Sequence, residues 1–412
     1  MNTYKNIIEQ VNYGLFLLLA FLLPYPQVAL RWVVVIWFVT WVLEGRWLHR
    51  PVSLRNNPGL IPILLFGLWF GYKVVSYFWC RDTGAWAWQM ERYITFAAVV
   101  PIGIWGINSR YNWQQVGRSL VWGSTSAVFV YLATMTLLYL HPSLVAAWQI
   151  SPEWDYTITA PYKFFSENLS HIKHRLFLCS TEMAGIIVAF HVLRERKAIL
   201  IFSVLVMLSS IPLTSSRQSI ITGAALIAIA MVYALPRPYR LRYGLGILLV
   251  GAVLGCGLLM LHPRMRDFNF LAITQMRDIS YTHDVRFNIW GVALQTPHDY
   301  LAHGLGAGQS TDYMLSKYEQ FHMDFYIQKH YHPHNQYLEE LIEGGIPGLI
   351  LFLLAWLFIP FCVRGKKRKM AIYFVTLFGI NMLTDCMFGK FCGIALWAVS
   401  IIYLLLPPSR TE

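Results

Sequence analysis

Apolar residues fall into runs of bilayer length along most of the chain, and short clusters of polar and basic residues separate them. Runs near 13–26, 28–44, 59–79, 93–108, 119–140, 176–193, 198–213, 218–235, 244–262, 336–362, 370–386 and 390–407 stand out. Each is close to the roughly 17–25 residues that a helix needs to cross a hydrocarbon core. The pattern predicts about twelve transmembrane helices. No small-residue cleavage site follows the first run, Tyr13 to Leu23, and a second run comes soon after, so it reads as a retained helix rather than a removed leader. Two longer connections interrupt the series, 141–175 and 263–335. The second is the one large extramembrane piece, and loops of that length in compact domains are usually functional. With no fixed-period repeat and no low-complexity tract, residues 1–412 read as one all-α integral membrane domain.

Composition agrees with that reading. Hydrophobic residues make up 56% of the 412 and charged residues 13%, with mean hydropathy +0.47. A water-soluble surface needs about twice as much charge. The net charge of +12 raises the question of nucleic acid, but no basic stripe interleaved with aromatics is present. Instead the positive residues alternate between loops. Lys5; Arg46, Arg50 and Arg55; Arg110 and Arg118; Arg194, Arg196 and Lys197; Arg237, Arg240 and Arg242; Arg364 to Lys369; and Arg410 mark one side of the membrane. By the positive-inside rule that side is cytoplasmic, both termini lie there, and 141–175 and 263–335 face outward. Most of the 16 Trp and 23 Tyr read as interfacial belt residues. Of the six cysteines, Cys386 and Cys392 are the pair placed closely enough for an extracytoplasmic disulfide.

Three outward tracts carry candidate chemistry. Thr214-Ser215-Ser216-Arg217-Gln218-Ser219 is a very short turn holding Arg217 between hydroxyls at the start of a helix. A snorkelling arginine on lipid phosphate is one reading. A planar cation matched to a diphosphate, beside a helix N-terminus that also favours anions, is the other. The second tract, Asp284 to Trp290, contains Arg286, with a local Asp284–Arg286 salt bridge as the structural alternative. Gly304-Leu305-Gly306-Ala307-Gly308 follows, a turn able to approach a ligand closely but without the strand–turn–helix context of a nucleotide loop. The third tract runs from His332-Pro333-His334-Asn335-Gln336-Tyr337 to Gly348. Here Asn335 is suited to cap a helix, and Gly344, Gly345, Pro347 and Gly348 to kink it. At that entrance the helix dipole and nearby arginines favour a neutral His334 that can accept a proton. Zinc is the rival for His322, His330, His332 and His334, but their spacing matches no strong metal motif and no Cys or paired acidic ligand accompanies them.

Taken in order, these tracts resemble the O-antigen ligase and Wzy polymerase superfamily of membrane glycosyltransferases. Ser216-Arg217 resembles the family's Ser-Arg turn, although Gln218 stands where Gly is common. Arg286 with Trp290, the 304–308 glycines, and His334-Asn335 through Gly348-Leu349 resemble its later motifs. Thr384-Asp385-Cys386 with Gly389-Lys390 is similar to an acidic turn before the last helix of related ligases, and Ser170 to Arg175 to a polar entrance. The resemblance spans about 200 to 393; the first half agrees in hydropathy alone.

The resemblance implies a GT-C-like enzyme of the bacterial inner membrane with its active site facing the periplasm. Its donor would be an undecaprenyl-diphosphate glycan and its acceptor lipid A-core, in lipopolysaccharide synthesis, with no cofactor, metal or nucleic acid. Arg217 and Arg286 would hold the diphosphate, helped by Lys173 and Arg175; His334 would be the base; Asn335, Tyr337 and Asp385 would support it. A polymerase and a protein O-oligosaccharyltransferase share these motifs. A transporter of lipid-linked sugar would instead show many deep charges and repeated halves, and Lys73 is the main deep charge visible.

Overall fold

A computed structural model of the protein describes residues 2–48, 51, 57–141, 143, 169, 173–214, 216–261, 285–363 and 365–405. Each of the twelve apolar runs coincides with a helix. These are α1 Asn2–Leu22, α2 Gln27–Leu43, α3 Leu60–Val75, α4 Thr83–Trp105, α5 Trp113–Leu140, α6 Arg175–Val192, α7 Lys197–Thr214, α8 Arg217–Ala234 and α9 Arg237–Leu261. After the long connection come α10 Val285–Gln295, α11 Ser310–Gln320 and α12 Asp324–Gln328, then α13 Gln336–Leu357, α14 Ile359–Cys362, α15 Lys366–Thr384 and α16 Phe391–Leu405. No strand occurs among the described residues. Among the described residues four stretches, Leu60–Phe78, Trp113–Leu140, Arg175–Val192 and Gln336–Cys362, are long and apolar enough to cross a membrane, and five more helices are apolar but shorter. The other three, α1, α4 and α15, carry polar or basic first turns such as Lys366 to Lys369. Outward apolar side chains abound, Val253 on α9 being 71% exposed, as lipid-solvated helices require.

An aromatic block joins the two halves of the sequence. Phe66 and Trp69 of α3 pack with Phe96 of α4, Phe388, and Trp397 of α16, the Phe66 and Trp397 rings stacking at 4.0 Å. Such offset and edge-on contacts contribute about 0.5–1.5 kcal/mol each beyond burial. Residues 285–335 form a smaller apolar cluster of their own, with Ile289, Val292, Tyr300, Met314 and Tyr318, seated on Leu338 and Ile342 of α13. Cys386 and Cys392 are buried free thiols, so the disulfide considered from their spacing is absent.

Helix α13 is broken as its sequence predicts. Gly345 adopts φ 61° and ψ −165°, outside helical space, and Pro347 has no N–H to return to the Glu343 carbonyl. That break strands three backbone groups. The glycine turn supplies their partners: Leu305 N donates to Ile342 O, Gly306 N to Glu343 O, and Ile346 N to Leu301 O, each at 2.9 Å. Gly304, at φ 75°, lies so close that a Cβ there would strike the Glu343–Gly344 peptide. The close approach foreseen for this turn is therefore made to a helix of the same chain, because a buried kink must have its polar groups satisfied.

Candidate functional site

Three helix ends meet at one mouth. Asn381, one turn before the end of α15, accepts from Gln218 Nε2 at 2.9 Å and from Thr222 Oγ1 at 3.3 Å, and donates to Ser180 Oγ of α6 at 2.7 Å. Helices α6 and α8 are thereby held, near their starts, against the last turns of α15, which lead into the 385–390 turn. Both helices open on arginine, Arg175 and Arg217, with no acidic residue in either first turn. Cations at the positive end of a helix dipole are unfavourable without an anion to offset them. Ser216 caps α8, its hydroxyl accepting from Ser219 N, so Arg217 occupies the first helical position. Gln218, which replaces the common glycine, is the residue that ties this turn to Asn381.

Across the mouth stands a histidine–aspartate pair. Asn335 caps α13, its side chain accepting from Leu338 N at 3.1 Å, and fixes the approach of the preceding residues. His334 sits at φ 48°, in left-handed space that few non-glycine residues occupy. His334 Nδ1 lies 3.5 Å from Asp385 Oδ1, and His174 Nε2 lies 3.9 Å from Asp385 Oδ2. The first separation is longer than a well-made hydrogen bond, as is common in unliganded sites. Burial alone would raise the Asp385 carboxyl, but His334 and the charge of His174 outweigh it and hold it well below the usual range. The His332 ring is 3.9 Å from that of His334, and its Nδ1 accepts the His334 backbone N–H at 3.2 Å. Burial, then His334, pushes His332 down to about 3; burial and Lys390 take His174 to about 4.

Asp385 also changes the metal question. His332, His334 and Asp385 each offer a ligand atom within 4.8 Å of one another. The sequence does not show this ligand set, because the carboxylate comes from the far end of α15.

Arg286 enters through its helix. Trp290, one turn later on the same face of α10, donates from Nε1 to the Pro333 carbonyl at 3.0 Å, docking that face against the His332–His334 tract. Asp284, its expected alternative partner, lies outside the described residues, as do 144–168 and 262–284 of the two long connections. Lys173 is buried, and its ammonium donates to the carbonyls of Leu23 at 3.1 Å and Tyr25 at 2.8 Å. Tyr337 lies deeper, donating to the Gly379 carbonyl at 3.0 Å.

Behind the mouth lies a group that sequence reading did not assemble. Lys73 of α3, fully buried, places Nζ 2.9 Å from both Glu340 and Glu343. Glu343 also accepts from Ser310 Oγ at 2.9 Å, and Glu340 from Trp69 Nε1 at 2.8 Å. Lys73 was visible as a deep charge, but its partners read as part of a helix entrance. His174, His332 and Asn381 were likewise missed as site residues. The two histidines lie inside the polar tracts already singled out, whereas Asn381 sits in an apolar run and gives no local signal.

No curated protein matches the chain. The family model described as O-antigen ligase matches residues 176–353, from the first residues of α6 to near the end of α13. That span takes in Arg217, Arg286, the glycine turn and His334, and the match supports membership of the O-antigen ligase and Wzy polymerase superfamily.

Proposed function

We propose that the protein is an O-antigen ligase that transfers glycan from undecaprenyl diphosphate to lipid A-core at the periplasmic face of the bacterial inner membrane. One observation carries this reading: two arginine-opened helix starts converge, through Asn381, on the turn that brings Asp385 to His334. In this mechanism Asp385 holds the His334 tautomer with hydrogen on Nδ1, leaving Nε2 to take the proton of the acceptor hydroxyl. The acceptor oxygen bonds to the anomeric carbon from the face opposite the carrier. The carbon–oxygen bond to the diphosphate breaks, its electron pair staying on the leaving oxygen, and configuration inverts. Arg217 and Arg286, with Arg175 alongside, neutralise the departing diphosphate. Nothing in this scheme uses a nucleotide or a metal.

The test is transfer by purified protein from polyprenyl-diphosphate glycan to lipid A-core, without nucleotide and with chelator, followed by gel shift. Transfer that disappears in Arg217→Ala and His334→Ala supports the ligase. Longer carrier-linked glycan with no product on the core makes it a polymerase, and modified protein substrate makes it an oligosaccharyltransferase. Loss of transfer on chelation, with recovery on adding zinc, would move the His332–His334–Asp385 group from base to metal site.

A further inference from the structure

One side chain joins the two halves of the histidine–aspartate pair. Gln336 follows His334 by two residues and is fully buried. Its carbonyl oxygen accepts from Phe388 N at 2.7 Å, in the turn that carries Asp385. Its amide nitrogen donates to Glu339 Oε2 at 2.9 Å and to Glu340 Oε1 at 3.0 Å. The orientation of the amide is dictated, since the oxygen must face an N–H and the nitrogen two carboxylates. Glu340 in turn gives its other oxygen to Lys73 and Trp69 of α3. From the opposite side Arg92 of α4 donates to the Gly389 carbonyl at 2.7 Å. The 385–389 turn is therefore gripped at one N–H and one carbonyl, and the grip at the N–H leads back to an ion pair from the first half of the chain.

We infer that Gln336 is a positioning residue, which sets the distance between Asp385 and His334 by anchoring the aspartate's turn to the Lys73–Glu340 pair. The inference rests on the proposed base role of His334. Gln336 itself does not touch substrate; its effect passes through Asp385. Slack of about 1 Å at a catalytic pair costs on the order of 100-fold in rate. Removing the amide therefore lowers kcat and leaves donor KM nearly unchanged, because the helix starts of Arg175 and Arg217 are held through Asn381 and that of Arg286 through Trp290 instead.

The experiment measures kcat and KM for donor in Gln336→Leu, Gln336→Glu, Asp385→Asn and the double variant Gln336→Leu/Asp385→Asn, with melting temperature as the check on folding. Expected is a loss of about 10- to 100-fold in kcat for either Gln336 variant, KM within about two-fold, and a double variant no slower than Asp385→Asn alone. Gln336→Glu combined with Glu340→Gln exchanges amide and carboxylate while keeping the net charge, and is expected to regain most of the rate lost by Gln336→Glu. Should Gln336→Leu fail to fold, this exchange decides the matter. A native kcat in folded Gln336→Leu, losses that multiply with Asp385→Asn, or an exchange no faster than Gln336→Glu overturns the inference. A native rate in His334→Ala would instead overturn the base reading beneath it, and the two failures are told apart by that variant alone.

Discussion

The Lys73 cluster and the His334 mouth are built from the same kinds of residue and finished differently. Around Lys73 the charges are sealed from solvent and the contacts are short, at 2.8–2.9 Å. Around Asp385 the histidines stand at 3.5 and 3.9 Å, and the side chains of His334 and His174 are 22% and 39% exposed. A saturated network specifies structure, whereas a loose one at a mouth leaves capacity for a ligand. Helix α13 belongs to both, presenting the capped His334–Asn335 end to the mouth and Glu340 and Glu343 to the lysine.

Substitutions sharpen that contrast. His334→Ala, at the loose end, is expected to lower transfer about 10²- to 10⁴-fold with little change in melting temperature, measured on detergent-purified protein. Lys73→Met, at the sealed end, leaves buried carboxylates uncompensated and costs about 3–5 kcal/mol of stability, seen as loss of folded protein on size-exclusion chromatography. If Lys73→Met stays folded and loses only activity, the lysine serves the mouth through Glu340 and Gln336 rather than the stability of the bundle. Gly304→Ala meets both a left-handed backbone and the Glu343–Gly344 peptide, and is expected to cost about 1–3 kcal/mol, read as a lowered melting temperature.

The smallest effect is one of pH. His332 is held neutral in the fold down to about pH 3, so between its ordinary pKa and that value the unfolded chain binds a proton the folded one does not. Stability at His332 is therefore fully present above about pH 6.5 and lost as pH falls toward 3. Melting temperatures at pH 7 and 5 should differ less in His332→Gln than in the native protein.

Much of this was legible along the chain because it is local. Helix positions follow from apolar runs, the Asn335 cap from its place before α13, and the kink from Gly345 and Pro347. What could not be read is pairing across the sequence. Only the resemblance points to Asp385 as a support of the site, and no periodicity announces that it meets His334. The glycine turn was misjudged for the same reason: its spacing shows that something comes close, and only the fold shows that this is the broken helix. Lys173 has a basic cluster around it in sequence, yet its ammonium is directed inward to the turn that follows α1.

The Lys73–Glu343 pair also bears on how the chain is made. The two residues are 270 positions apart. At about 5–20 residues per second, a growing chain holds the lysine for on the order of 10 to 50 s before the glutamate is synthesised. An unpaired ammonium in hydrocarbon is costly, so α3 has reason to remain near the membrane surface, or against the insertion machinery, until α13 arrives. Closing the bundle around that ion pair then becomes a late step of biogenesis, and the helix that delivers the glutamates brings His334 with it.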